Sequence, residues 1–146
     1  MGNRAVITTA PYKPGNIGIY VHWNGGRASI EGFLKAAKEL GYRSPQHDNE
    51  YGFARLAQAI GLFFGADQDT SVGIGRCDQL DVRGDNGTYL IGGDWEIVGR
   101  KWTGGYIDEV DQEKTDAIAA RIVAITKAAA QAADDYDEAQ AAKQED

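Results

Sequence analysis

From Asp111 onward the chain holds neither glycine nor proline, and all 19 glycines lie at or before Gly105. This partition constrains the fold more than any motif does. Glycine and proline punctuate turns and break helices, whereas alanine is the best helix former. The last 41 residues hold 12 alanines. The chain therefore divides into a glycine-rich body over residues 1–105 and an acidic, alanine-rich helix over residues 106–146. Charge divides at the same place. The body has 11 basic and 11 acidic residues, while the tail has 4 and 11, which accounts for the whole net charge of −7.

Within the tail, Ile118, Ile122, Ile125, Ala129, Ala132, Tyr136 and Ala139 follow at steps of four and three, a coiled-coil-like seam. A helix over residues 111 to about 142 would be roughly 48 Å long at about 1.5 Å per residue. A body of about 100 residues has a radius of gyration of only about 13 Å. The expectation is that part of the helix overhangs and packs on another copy. The alternative is that its first turns dock and its last turns fray. The cluster Asp134, Asp135, Asp137 and Glu138 reads as a solvated face.

The body alternates two rhythms. Residues 5–9 read as a strand, and Ile17, Ile19 and Val21 alternate with smaller or polar neighbours at the period of a half-buried strand. Ile30, Phe33, Leu34, Ala37 and Leu40 then follow at helical spacing, with Ser29 as N-cap and Gly41 as stop. A second helix is predicted over residues 50–64, capped by Asn49 or Asp48, with a stripe through Phe53, Leu56, Ala57, Ile60, Phe63 and Phe64. Period two returns at Val72 and Ile74. Asp85-Asn86-Gly87 is a hairpin-type turn signal, and Gly92-Gly93-Asp94 is a second turn before a strand over residues 95–102. Strands and helices are segregated. The expected class is α+β: a mainly antiparallel sheet of about five strands, two packed helices and a long C-terminal helix.

Composition excludes several functions. With 42% hydrophobic and 25% charged residues the chain is ordinary for a folded domain. No apolar run is long enough for a membrane span. One cysteine, Cys77, cannot form an internal disulfide, and residues 1–5 lack a signal-like apolar region, so an intracellular setting is expected. A neutral body is a poor sink for polymeric nucleic acid, whose binding rests on many phosphate contacts. A small anionic ligand needs only two or three local cations.

The most distinctive string is His22-Trp23-Asn24-Gly25-Gly26-Arg27, which leads from a strand through a glycine turn to a helix start. Such a start presents unpaired N–H groups, glycines admit a ligand to the backbone, Arg27 can clamp a phosphate and Trp23 can stack on a base. The alternative is a tight structural turn with Trp23 in the core. Arg55 borders the buried stripe of the second helix and calls for an anionic partner. Arg76, Asn86, Tyr89 and Arg100 gather on or near the late strands, where Asn86 also serves as a turn residue. Catalytic motifs are absent: there is no G-x-S-x-G, H-E-x-x-H or paired cysteine motif. His22, His47 and Cys77 lack metal-ligand spacing, and Asp67, Asp69, Asp78, Asp81 and Asp85 lack the pattern of a calcium loop. No cofactor or metal is expected.

Taken together, 19–27, Gly41-Tyr42-Arg43-Ser44-Pro45, 51–56, Asp85-Asn86-Gly87-Thr88-Tyr89 and 95–100 resemble small proteins of phages and prophages. Within that group the chain is similar to the Thoeris anti-defence proteins, sponges for cyclic-nucleotide immune signals. The resemblance implies a non-enzymatic protein that sequesters a small nucleotide in a bacterial host's cytoplasm. It also implies a pocket made by arginines on the C-terminal helices, an asparagine and an aromatic group near the sheet. Asn86, Tyr89 and Arg121 are the corresponding residues here. A second arginine one turn from Arg121 is missing, since Ala117 and Ile125 stand there. Two rival readings are a protein-binding inhibitor, acting through the acidic helix or the sheet face, and a small nucleotide hydrolase.

Overall fold

The computed structural model of the chain describes residues 2–65, 72–103 and 110–144. Its sheet is organised around β1 (Ala5–Thr9), which is buried along its whole length. A run of β-branched residues with no polar face suits a strand covered on both sides. The sheet order is β3-β2-β1-β4-β5, with β2 at Ile17–Val21, β3 at Val72–Arg76, β4 at Thr88–Ile91 and β5 at Ile97–Lys101. Three of the pairs are antiparallel, and β1 runs parallel to β4. The α+β class with a mainly antiparallel five-stranded sheet therefore holds, and the parallel pair at its centre makes the sheet mixed.

That parallel pair corrects the reading of Asp85-Asn86-Gly87 as a hairpin turn. β3 lies on the far edge of the sheet and β4 beside β1, so a crossover joins them. The crossover includes a 3-10 turn at Cys77–Gln79 and lies against the sheet. Thr88 Oγ1 donates to Val82 O at 3.0 Å, and the buried Cys77 thiol donates to Lys13 O at 3.0 Å. A Cβ on Gly18 would meet Cys77 Cβ and Leu80 Cδ1 at 3.0 Å, which shows how closely the crossover packs. The turn before β4 is stitched to β1 by Arg4 N–H to Asp85 Oδ2 and Asn86 N–H to Arg4 O, at 3.1 and 3.0 Å. The second turn is as read: β4 and β5 form a hairpin around residues 92–96. Trp95 belongs to that turn and not to the strand, at φ +59°.

The helices cover the other face. α1 (Arg27–Glu39) starts three residues earlier than Ser29 as N-cap predicts, with Gly26 as N-cap. Ser29 lies buried in the first turn and accepts a hydrogen bond from Asn24 Nδ2 at 3.3 Å. Gly41, at φ +72°, ends the helix: its N–H reaches Lys38 O and that of Tyr42 reaches Ala37 O, a Schellman motif. α2 (Asn49–Phe64) buries Gly52, Phe53, Leu56, Ala59 and Ile60. Phe63 and Phe64 meet Phe33 of α1 edge-on, at 5.4 and 6.5 Å.

α3 (Gln112–Gln144) is 33 residues long, about 50 Å at about 1.5 Å per residue. Its first half docks through Thr115, Ile118, Ala119 and Ile122, and Thr115 Oγ1 donates to Ala28 O at 2.8 Å. Every residue from 127 to 139 is exposed. The seam read from the sequence is thus buried only at Ile118 and Ile122; Ile125 is half-buried, and Ala129, Ala132, Tyr136 and Ala139 are exposed. Among the described residues no helix is long and apolar enough to cross a membrane.

Candidate functional site

The glycine turn, Asn86, Tyr89 and Arg100 do come together, as one hydrogen-bonded network. Gly25 N–H donates to Asn3 O at 2.8 Å, and a Cβ on Gly25 would stand 2.8 Å from the Arg4 carbonyl carbon and 2.9 Å from Ala5 Cβ. Only glycine lets the turn lie this close to β1. The buried Tyr89 hydroxyl donates to Gly25 O at 2.7 Å. Asn86 Nδ2 donates to Asn3 Oδ1 and, at 3.1 Å, to Arg4 O. Arg100 places its guanidinium 4.4 Å from the Tyr89 ring centroid and donates to Asn86 O at 3.0 Å. Burial pushes the Tyr89 phenol up to about 12, against the opposing pull of Arg100 and Arg27. Burial, with Arg27 beside it, pulls Arg100 below its ordinary value. Gly25, Asn86 and Tyr89 thus have their polar groups satisfied by protein, and they act as the frame of the turn.

The remaining candidates face different ways. His22 Nδ1 pairs with the Tyr20 hydroxyl at 2.7 Å, and the His22 ring meets Trp23 edge-on at 5.2 Å. Trp23 is 47% exposed, so it is not the core residue of the purely structural reading. Arg27 Nε donates to Glu31 Oε1 at 2.9 Å. Arg55 does not border the core. It is exposed on α2 and donates to Gln58 Oε1 at 2.9 Å. The stripe spacing placed it next to Leu56, but adjacent residues on a helix point about 100° apart.

Arg27 lies on a groove of about 620 Å³ between α1, the β4–β5 turn and the start of α3. This space is large enough for a ligand. Its cations, however, are matched by carboxylates: Arg27 with Glu31, Lys35 with Asp116 at 2.6 Å and Lys38 with Asp94 at 2.7 Å. A phosphate entering there would have to displace them.

A smaller pocket is better suited to an anion. It measures about 300 Å³, at the low end for small-molecule sites, and is lined by Asn24, Phe63, Lys114, Ala117, Ile118 and Arg121. Asn24 extends from the glycine turn at φ +59°, a left-handed conformation that asparagine tolerates. Arg121 sits with its guanidinium 5.0 Å from the Phe63 ring centroid. Among the described residues, Lys114 and Arg121 form no ion pair and no carboxylate lines the pocket. The turn and the C-terminal helix, remote in sequence, meet here.

Lys114 escaped the sequence reading, which looked one turn either side of Arg121 for a second cation. The signal was there at seven residues, two turns away on the same face. Phe63 was read only as core. Among the described residues no group of three His, Cys, Asp or Glu side chains is placed to hold a metal, and Asp67 and Asp69 lie outside those residues. None of the protein-family models, curated proteins or solved structures compared with the chain matches it.

Proposed function

We propose that this protein binds and sequesters a small anionic nucleotide, without turnover, in the pocket between the glycine turn and α3. The observation that carries the reading is the convergence of Asn24, Lys114 and Arg121 over an apolar floor of Phe63 and Ile118, with no carboxylate among the described lining residues. Two cations on one helix face suit a phosphate, guanidinium forks suit phosphate oxygens, and the apolar floor suits a base. The groups that would position a ligand are present, while no nucleophile–base pair or metal cluster lies among them. The resemblance to anti-defence sponges supports reading the ligand as a cyclic nucleotide signal and the setting as a phage-infected bacterial cytoplasm.

Self-association through the projecting half of α3 belongs to the same reading. Ala129, Ala132, Tyr136 and Ala139 continue the four-three seam on a stretch exposed throughout, and Tyr136 is 64% exposed. Alanines in such a seam allow close backbone approach.

The test is to mix the purified protein with a panel of cyclic mono- and dinucleotides, wash it, heat it and assay the released material. Intact ligand supports sequestration, and a cleaved product supports a hydrolase. With the captured nucleotide, Lys114→Ala and Arg121→Ala should each weaken binding by about tenfold or more, since a hydrogen bond to a charged group contributes about 1.5–3 kcal/mol. Unchanged affinity in both variants would move the ligand elsewhere.

A further inference from the structure

At the other end of the α1–α2 layer lies a cleft of about 370 Å³, lined by Gly41, Tyr42, Arg43, Tyr51 and Arg55. α1 runs between the two sites: Asn24 precedes its start and Gly41 follows its end. Its 13 residues span about 20 Å at about 1.5 Å per residue. From the geometry we propose that this cleft is a second, independent anion site, for a phosphate monoester carried on a planar ring.

The cations come first. Arg43 lies with its guanidinium 4.7 Å from the Tyr51 ring centroid. Arg55 follows Tyr51 by one helical turn and donates to a neutral amide, Gln58. Among the described residues neither arginine has a carboxylate partner, whereas Arg4, Arg27, Lys35, Lys38 and Arg76 all do. No carboxylate lines the cleft among the described residues. Two guanidinium groups facing one small space repel each other and favour an anion between them. A phosphate dianion offers each a pair of oxygens.

The backbone that presents Arg43 is held firmly. Trp95 Nε1 donates to Tyr42 O at 3.2 Å, and Ser44 Oγ donates to Gly93 O at 2.9 Å. Gln46 Nε2 donates to Ala10 O at 2.9 Å. A Cβ on Gly52 would meet Arg43 O at 2.7 Å, so the loop also presses on α2. Pre-organisation of this kind lowers the ordering cost of binding. The ring comes last. Tyr51 is 60% exposed although Arg43 covers part of it, which leaves aromatic surface for a stacked base or other planar group.

The experiment is calorimetric titration of the full chain with adenosine 5′-monophosphate, with ribose 5-phosphate and inorganic phosphate in parallel. Adenosine monophosphate should bind at least about tenfold more tightly than either, the contribution of one stacked base. Tyr51→Leu should remove that advantage. Arg43→Ala and Arg55→Ala should each weaken adenosine monophosphate by about tenfold or more, while Arg76→Ala, which removes an arginine paired with Asp78 outside the cleft, leaves it unchanged. Arg55 is exposed, and a melting curve coincident with wild type shows that its variant folds. The proposal is overturned by no binding at millimolar ligand, by an affinity that Arg55→Ala does not change, or by inorganic phosphate binding as tightly as the nucleotide. It is also overturned if Arg121→Ala abolishes binding, a result that would instead support the pocket under α3.

Discussion

Tyr89 is a phenol removed from water, and its one polar atom is answered by Gly25 O. Replacing it with phenylalanine keeps the ring under Arg100 and leaves that carbonyl without its donor. The expected loss is about 1–2 kcal/mol in chemical denaturation. The same phenol makes stability fall in alkali. Its folded value of about 12 lies above the ordinary value near 10, so the folded state holds the proton more tightly. The contribution is complete below about pH 10 and is lost as pH rises through about 12, by roughly 3 kcal/mol in all. Denaturation midpoints measured across that range should drop for wild type and drop less for Tyr89→Phe. Equal slopes would mean that Tyr89 does not carry the effect.

Between elements, the α1–α3 crossing depends on the absence of a side chain. A Cβ on Gly32 would stand 2.8 Å from Ile118 Cβ and Cγ2, whereas one on Gly61 would meet nothing within 4 Å. Gly32→Ala should therefore destabilise by about 1–3 kcal/mol through overpacking, reduced by a helix-propensity gain of up to about 1 kcal/mol. Gly61→Ala has only the gain and should raise the melting temperature. The two variants side by side separate packing from propensity. α3 itself divides at about residue 126. The docking residues Thr115, Ile118, Ala119 and Ile122 precede that point, and 127–139 are exposed. Removing residues 127–146 should lower the number of copies per particle, read by light scattering, while the folded body persists in circular dichroism. An unchanged copy number would leave the projecting half as a solvated arm.

Over the whole molecule, the net charge of −7 comes from residues 106–146. The two candidate anion sites are local exceptions, one on the neutral body and one where the acidic helix docks on it, with two cations each. Polymeric nucleic acid would need a continuous basic track, and the acidic arm would repel it. Gel-shift titration with duplex DNA at physiological salt should show no retained complex at protein concentrations that capture a small nucleotide. Retention that weakens steeply with salt would contradict this.

The long helix, the strand at residues 5–9, the Gly41 stop and the stripe on α2 were legible in the sequence, because each follows from local rules. Helix propensity, residue periodicity and left-handed glycine depend on neighbours a few positions away. The partners of β4 were not legible. Asp85-Asn86-Gly87 has the chemistry of a hairpin turn, yet Asn86 instead closes a crossover against Asn3 and Arg4, more than 80 residues away. The sites show the same division. Arg27, Arg55, Asn86, Tyr89 and Arg121 were found as residue types, but their roles were set by tertiary packing. It placed Gly25 over Tyr89, Asn24 at the same pocket as Arg121 and Asp116 beside Lys35, whereas Glu31 stands beside Arg27 simply because it is one helical turn away. Whether a cation is already matched by a carboxylate depends on distances of a few ångströms between elements remote in sequence. Composition and spacing carry no record of those distances.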